Sequence, residues 1–361
     1  MRDPTIPTSS KSFQPQRVMV LGATGTIGQD TVRALLRRGH NVVCFLRPRP
    51  KLGAQTPRSI ASLPTDAELR FGDVTDPKSL EDEGFRGERF DALVSCLASR
   101  TGAPKDAWAI DHQAHMHALD AARQAGVSHM VLLSAICVQK PLLAFQHAKL
   151  AFEKTLIESG LTYSIVRPTA LFKSLSGQVE RVTRGKPFMV FGDGTMTACK
   201  PISNSDLADY LAGCLEDERR HNRVLPIGGP GDAITPRQQG EYLFRLLGRE
   251  PRFTRVPIQT IDAVVWGLGM LGRVSKRCAE KAEFARIGRY YATESMLVLD
   301  PATGRYDASS TPSTGTETLF DFYDRLITGE AAVELGDHAA FGSKSCARAK
   351  GAISKRDLAI V

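Results

Sequence analysis

The sequence predicts an α/β protein, a doubly wound parallel sheet with a smaller C-terminal lobe. Two observations carry that expectation. Short β-branched and aliphatic runs alternate with amphipathic helical stretches from residue 17 to residue 168, joined mostly by short loops. Directly after the first run come Gly22, Gly25 and Gly28, and a helical stretch follows them. Strand, glycine turn and helix in that order make a Rossmann-like dinucleotide fingerprint. Its glycines let the backbone approach a pyrophosphate held at a helix N-terminus.

The first strand is read at 18–21, whose aliphatic side chains suit a parallel strand buried on both faces. The loop after it spaces its glycines as Gly-x-x-Gly-x-x-Gly, the short-chain-reductase form. Gly22, Thr24, Gly25, Thr26, Ile27 and Gly28 are therefore candidate cofactor-binding residues. A helix at 31–38 turns Val32, Leu35 and Leu36 to one side. The second strand, 41–46, ends at Arg47, about 20 residues past the glycine loop. An acidic residue there would accept from the ribose hydroxyls of NAD. An arginine instead offers a fork of donors to the 2′-phosphate of NADP, with Arg49 and Lys51 close by, so NADPH is the expected cofactor. A polar loop at 51–65 leads to a third strand at 68–72, ended by Asp73 and Val74 where an adenine would border it. The fourth strand is read at 90–97, a helix at 108–125, and a fifth strand at 127–136 that ends in Ser134. Short-chain reductases place a substrate- or nicotinamide-facing hydroxyl there, so Ser134 is a further candidate cofactor-binding residue. A helix at 144–159 carries Lys149, and a sixth strand at 161–166 ends in Arg167-Pro168-Thr169.

Beyond Thr169 the rhythm changes. Residues 188–194 read as a small hairpin or extended segment and 201–202 as a short strand. A helix at 205–217 has Asn204 or Ser205 as its cap. The last sheet strand is read at 224–228, and a helix at 235–247 has Pro236 in its first turn. Residues 258–271 are markedly apolar and precede a basic run at 273–281. That stretch is too short to cross a bilayer. It reads as a packed helix, a lid over an apolar substrate, or an interfacial helix with its cations outside. The expected organisation is a disordered N-terminal extension (1–16), an NADP-binding domain (17–168), a substrate lobe (169–330) and a flexible basic tail (331–361).

Composition narrows the function classes. Hydrophobic content of 42% and charged content of 24% are those of an ordinary globular chain. A net charge of +8 favours anionic partners such as phosphates, carboxylates or an acidic membrane surface. Nucleic acid is not expected, because no aromatic-interleaved basic patch or nucleic-acid motif is present. Seven scattered cysteines without a Cys-x-x-Cys pair suggest buried free thiols in a reducing cytoplasm rather than zinc or disulfides. Asp111, His112, His115 and His117 are spread around their helix, so no metal site is expected. With no signal core in 1–16 and no apolar run of 18 residues, the expectation is a cytoplasmic protein, at most peripheral at a membrane.

A typical short-chain reductase carries Tyr-x-x-x-Lys on the helix after the fifth strand, where the tyrosine protonates a carbonyl oxygen and the lysine holds the ribose. Here the corresponding residues are Phe145-Gln146-His147-Ala148-Lys149. The lysine is kept and the phenol is absent. Ordinary alcohol–ketone exchange is disfavoured, and Lys149 is the candidate catalytic residue, binding the ribose or supplying a proton.

Three blocks then carry a resemblance: Gly-Ala-Thr-Gly-Thr-Ile-Gly at 22–28, the stretch 132–153 with Phe-Gln-x-Ala-Lys-Leu-x-Phe-Glu, and 292–319 with Ala-Thr-Glu-Ser-Met-Leu-Val and Thr-Pro-Ser-Thr-Gly-Thr-Glu-Thr-Leu. Together they resemble the NADPH-dependent 8-vinyl reductases of chlorophyll and bacteriochlorophyll biosynthesis. These are atypical short-chain dehydrogenase/reductases of the NmrA and isoflavone-reductase-like group, which also lacks the tyrosine. The resemblance implies reduction of the C8 vinyl of 3,8-divinyl chlorophyllide or protochlorophyllide, a magnesium tetrapyrrole, to ethyl. Hydride at the terminal vinyl carbon would leave charge that the macrocycle delocalises, and a proton would reach the inner carbon from Lys149, a nearby side chain or water. Plant members carry a plastid transit peptide, and the sixteen residues before the first strand here resemble a bacterial member. Candidate substrate residues are Phe145, His147, Phe172 and Trp266, with Phe188 and Tyr291 as further walls. Arg181, Arg184 or Lys186 would meet a propionate, and His147 would approach the magnesium. Two other readings stay open: an NmrA-like NADP sensor without turnover, and a reductase of another conjugated alkene.

Overall fold

Alternation along one strand builds two cores at once. In β1 (Arg17–Leu21), Val18 and Val20 point to one face of the sheet, Met19 and Leu21 to the other, and all four are almost fully buried. The structure is a computed structural model that describes residues 14–47, 58–273 and 275–331. Arg49, Lys51, most of the N-terminal extension and the tail beyond Ala331 lie outside the described residues.

Seven strands form the main sheet. They are β1, β2 (Asn41–Leu46), β3 (Glu68–Phe71), β4 (Ala92–Ser95), β5 (His129–Leu133), β6 (Thr162–Pro168) and, after a small β7 (Phe188–Phe191) that lies elsewhere, β8 (Arg223–Ile227). Their order is β3-β2-β1-β4-β5-β6-β8, every pairing is parallel, and Met19 stands opposite both Val43 and Leu93. On the Val18 face pack α1 (Thr26–Arg37) through Val32 and Leu35, together with Leu207 and Leu211 of a later helix. On the Met19 face pack α2 (His115–Gln124) through Leu119 and Ala122, and α3 (Ala144–Glu158) through Phe152 and Leu156. Helices on both faces of a parallel sheet leave a crevice at the carboxyl ends of β1 and β4, where the strand order reverses.

The later helices are α4 (Asn204–Gly213), which supplies Leu207 and Leu211, α5 (Pro236–Leu246), α6 (Ile258–Gly272), α7 (Lys276–Thr293) and α8 (Leu319–Thr328). A separate core of Phe172, Phe188, Val190, Leu243, Phe244 and Tyr323 joins α5 and α8 to β7.

Several sequence expectations need correction. The first helix begins at Thr26, not near residue 31. Gly25 is its extended N-cap, and the polar residues of the first turn hide that turn from apolar periodicity. The 108–125 helix is composite, a π-helical Trp108–Ala114 running into α2. Of the two forms expected for 188–194 the structure takes the extended one, not the hairpin: β7 pairs in parallel with β9 (Phe253–Val256), Phe188 opposite Phe253, a partner far along the chain. Ile202 makes an isolated bridge to Leu171 rather than a strand. Ser203 caps α4, its hydroxyl accepting from Asp206 N at 3.0 Å, in place of Asn204 or Ser205. Thr235 and Gln238 form a capping box on α5, with Pro236 in its first turn.

Candidate active site

The glycine loop sits where backbone meets backbone. Gly22 has φ +75°, and a Cβ there would stand 2.6 Å from the carbonyl carbon of Cys96, the residue just past β4. Gly25 N donates to Gly22 O at 3.0 Å and closes the turn. A Cβ on Gly28 would lie 2.1 Å from Gly22 O, so α1 can approach the loop this closely only without a side chain. Among the described residues no side chain caps α1 and no acidic residue lies in its first turn. Thr24, Thr26 and Ile27 are half-buried around an N-terminus whose free N–H groups suit a phosphate.

Arg47 is exposed immediately past β2. Asp73, past β3, accepts from Thr75 N at 2.9 Å and Thr75 Oγ1 at 2.7 Å. Those bonds hold its carboxyl below the usual carboxylate range, and the nearby Arg47 adds to the effect. Val74 packs on the Met19-side core. The two strand ends thus present a cation and an anion side by side, next to the loop of β1.

Lys149, on α3, is nearly buried and its Nζ lies 3.0 Å from Oδ1 of Asp111, which is fully buried. Asp111 Oδ1 also accepts from Ser99 N at 3.3 Å, and its Oδ2 has no hydrogen-bond partner among the described residues. The π-helical turn carries Asp111 inward, and the same stretch delivers His115. His115 Nε2 lies 2.8 Å from Ser95 Oγ at the end of β4, and its Nδ1 lies 2.9 Å from Ile110 O. The sequence assigns Asp111 and His115 no role, since their spacing with His112 and His117 argues against a metal site. In the structure the first is the counter-ion of Lys149. The signal that it escaped is the π-turn, which local periodicity does not encode. His112 instead meets Trp108 edge to face, and His117 lies 2.8 Å from Gln113 Nε2.

Phe145, one helical turn before Lys149, belongs to an apolar cluster with Cys137, Ile287 and Tyr290. A Cβ on Gly102 would stand 3.0 Å from Ile287 and 3.5 Å from Phe145, so α7 closes over this side of the site. Tyr290 donates to the carbonyls of Cys137 and Lys140, and the Tyr291 hydroxyl lies 4.0 Å from Cys137 Sγ. The other candidates are dispersed. Ser134 donates its hydroxyl proton to Glu153, which Arg167 pairs on its other side, so that hydroxyl is committed to a buried ion pair. His147 is exposed, while Phe172 and Phe188 are buried in the lobe core. Arg181 donates to Pro187 O, Arg184 pairs with Glu180, and Lys186 is exposed. Trp266 is 72% exposed on α6.

Burial lowers His115 and His129 to about 4, with the Lys149 ammonium adding to the first and His221 to the second. Between pH 6.5 and 4 the unfolded chain therefore binds more protons at these imidazoles than the native one. Stability falls as pH drops through that window, by up to about 1.4 kcal/mol per pH unit per imidazole. The urea midpoint is expected to be lower at pH 5 than at pH 7.5, and His129→Asn should shrink that difference. Equal midpoints at the two pH values would contradict it.

Residues 22–218 match the family model described as NAD(P)H-binding. The divinyl chlorophyllide a 8-vinyl-reductase, chloroplastic, of Oryza sativa subsp. indica is 52% identical over 93% of this chain and 86% of its own length. The Arabidopsis thaliana protein of the same name is 49% identical over 91% and 81%. Among solved structures, the binary complex of leucoanthocyanidin reductase with NADPH from Vitis vinifera has a TM-score of 0.63. It is 16% identical over 86% of this chain and 99% of that one, a likeness of fold.

Proposed function

The chain belongs to the divinyl chlorophyllide a 8-vinyl-reductase family, and from that premise we propose that it reduces the C8 vinyl group of a divinyl chlorophyllide, or protochlorophyllide, to ethyl with NADPH. The observation that carries the reading is the pairing of a retained, buried Lys149–Asp111 couple with Phe145 at the place of a phenol. Such a site holds charge and excludes water, but offers no hydroxyl acid one turn from the lysine. That combination suits an alkene conjugated to a ring that delocalises charge, rather than a ketone.

The cradle at Gly22 and Gly28, which a Cβ would fill, and the uncapped start of α1 fit a pyrophosphate. Arg47 would hold a 2′-phosphate and Asp73 would border the adenine, while Lys149 would bind ribose hydroxyls. When bound, the reduced nicotinamide supplies hydride. Lys149 keeps an ammonium beside the reacting centre, and Asp111 keeps that ammonium oriented. Phe145, Ile287 and Tyr290 provide an apolar wall toward which a flat tetrapyrrole would lie.

Purified protein given NADPH and divinyl chlorophyllide should oxidise the coenzyme and shift the pigment's Soret band to that of the monovinyl product, with NADH a poor substitute. Arg47→Ala should raise the NADPH dissociation constant about tenfold or more while changing NADH little, the loss of one charge-assisted contact. Coenzyme bound without turnover would favour the sensor reading. Consumption of another conjugated alkene with the pigment untouched would favour a different substrate.

A further inference from the structure

We propose that the outward face of α6 docks on an anionic lipid surface, with the helix lying in the plane of the membrane interface. This helix is apolar on both sides. None of its 15 residues is buried, although apolar residues dominate its sequence. The half-buried side of the helix holds Ile261, Val265 and Leu268. Its contacts with α7 run through Asp262, which pairs with Arg289, through Gly269, whose Cβ would meet Arg286, and through Gly272, whose Cβ would stand 3.0 Å from Ala279 Cα. The face left outward carries Val264 at 47%, Trp266 at 72%, Met270 at 46% and Leu271 at 56% exposure. Large apolar side chains gathered on one exposed stripe mark an interaction surface.

The charge around the stripe selects the occupant. Residues 258–291 hold six Lys and Arg against three Asp and Glu. Two of those acids are already spent inside the hairpin, Asp262 on Arg289 and Glu283 on Arg286. Arg273 stands exposed at the C-terminal end of the stripe. A second copy of this chain would bring the same excess of cations against itself, which opposes self-docking. A surface of acidic headgroups complements the cations, and its acyl boundary accepts the tryptophan, methionine and leucine. The geometry agrees, since no helix among the described residues is long and apolar enough to cross a membrane. On its inner side the same hairpin reaches the site, through Ile287 against Phe145 and Tyr290 on Cys137.

The test uses the full chain carrying Trp108→Phe, so that Trp266 is the sole tryptophan. Vesicles of phosphatidylcholine with phosphatidylglycerol should blue-shift its emission and carry the protein on flotation, and pure phosphatidylcholine should do so at least tenfold more weakly. Leu271→Glu should lower partitioning at least tenfold while leaving the melting temperature and NADPH affinity unchanged. Three results would overturn the proposal. These are no flotation with acidic vesicles, flotation undiminished by Leu271→Glu, or a dimer in solution that Leu271→Glu converts to monomer. Because NADPH affinity is read separately, failure of docking is distinguishable from failure of the catalytic reading.

Discussion

Gly28→Ala is expected to abolish tight coenzyme binding and to lower the thermal midpoint, although it adds a single methyl group. The methyl carbon would sit 2.1 Å from Gly22 O, 2.9 Å from Gly22 C and 2.9 Å from Ala23 Cα, all backbone atoms that no rotamer change moves aside. Either α1 retreats from the loop or the loop leaves its seat against Cys96, where Gly22 is itself held tightly. Both movements spoil the cradle, so the NADPH dissociation constant should rise at least about 100-fold, equivalent to about 2.7 kcal/mol. Overpacking should cost a further 1–3 kcal/mol of stability, roughly, or several degrees in the midpoint. Gly25→Ala is the contrast. Gly25 has φ −71°, ordinary for any residue, and its Cβ would stand 3.3 Å from Gly22 O. That variant should stay close to the parent in melting. Calorimetric titration with NADPH and a melting scan on the two variants read both effects. Parent-like binding by Gly28→Ala would show that the helix does not rely on this approach.

The parts of the fold that were legible in the sequence are those whose signal is local. The strand at β1 announces itself because four consecutive side chains are buried, two on each face, and the glycines follow at once. The place of Lys149 on a helix, one turn past Phe145, was legible through the local pattern. What escaped depends on partners far along the chain. β7 finds its neighbour in β9, more than 60 residues later, so nothing near Phe188 marks a parallel pairing. Asp111 looks like any polar residue on a helix until the π-turn rotates it inward to Lys149, 38 residues on. Ser134 sits at a strand end, as a substrate-facing hydroxyl would. Its hydroxyl nevertheless bonds to Glu153, because Arg167 on the next strand draws that carboxylate into the same buried group. The stretch 258–271 is legible as apolar. Its composition does not say that Ile261, Val265 and Leu268 are half-buried while Val264, Trp266, Met270 and Leu271 stay exposed, because that division depends on where the next helix packs.

Lys149→Met is expected to reduce turnover by about 10²–10⁴-fold, the usual contribution of a positioned proton-transferring group. That result alone would not separate chemistry from structure. Removing the ammonium strands the Asp111 carboxylate, whose side chain is wholly buried and whose Oδ2 is already without a partner among the described residues. Breaking such a pair from one side costs on the order of 3–5 kcal/mol, so the single variant should also melt early. Asp111→Asn in the Lys149→Met background removes the stranded charge while keeping a hydrogen-bond acceptor for Ser99 N. The double variant should recover most of the lost stability and none of the lost turnover. Asp111→Asn alone leaves Lys149 in place but loosens it. Its turnover should fall by about tenfold to 100-fold, because an ammonium held only by a neutral amide is poorly oriented at the reacting centre. Midpoints from urea unfolding and single-turnover rates on divinyl chlorophyllide, measured on all four proteins, close the cycle. If the double variant regained turnover together with stability, the couple would be a structural pin, and the proton would come from another side chain or from water.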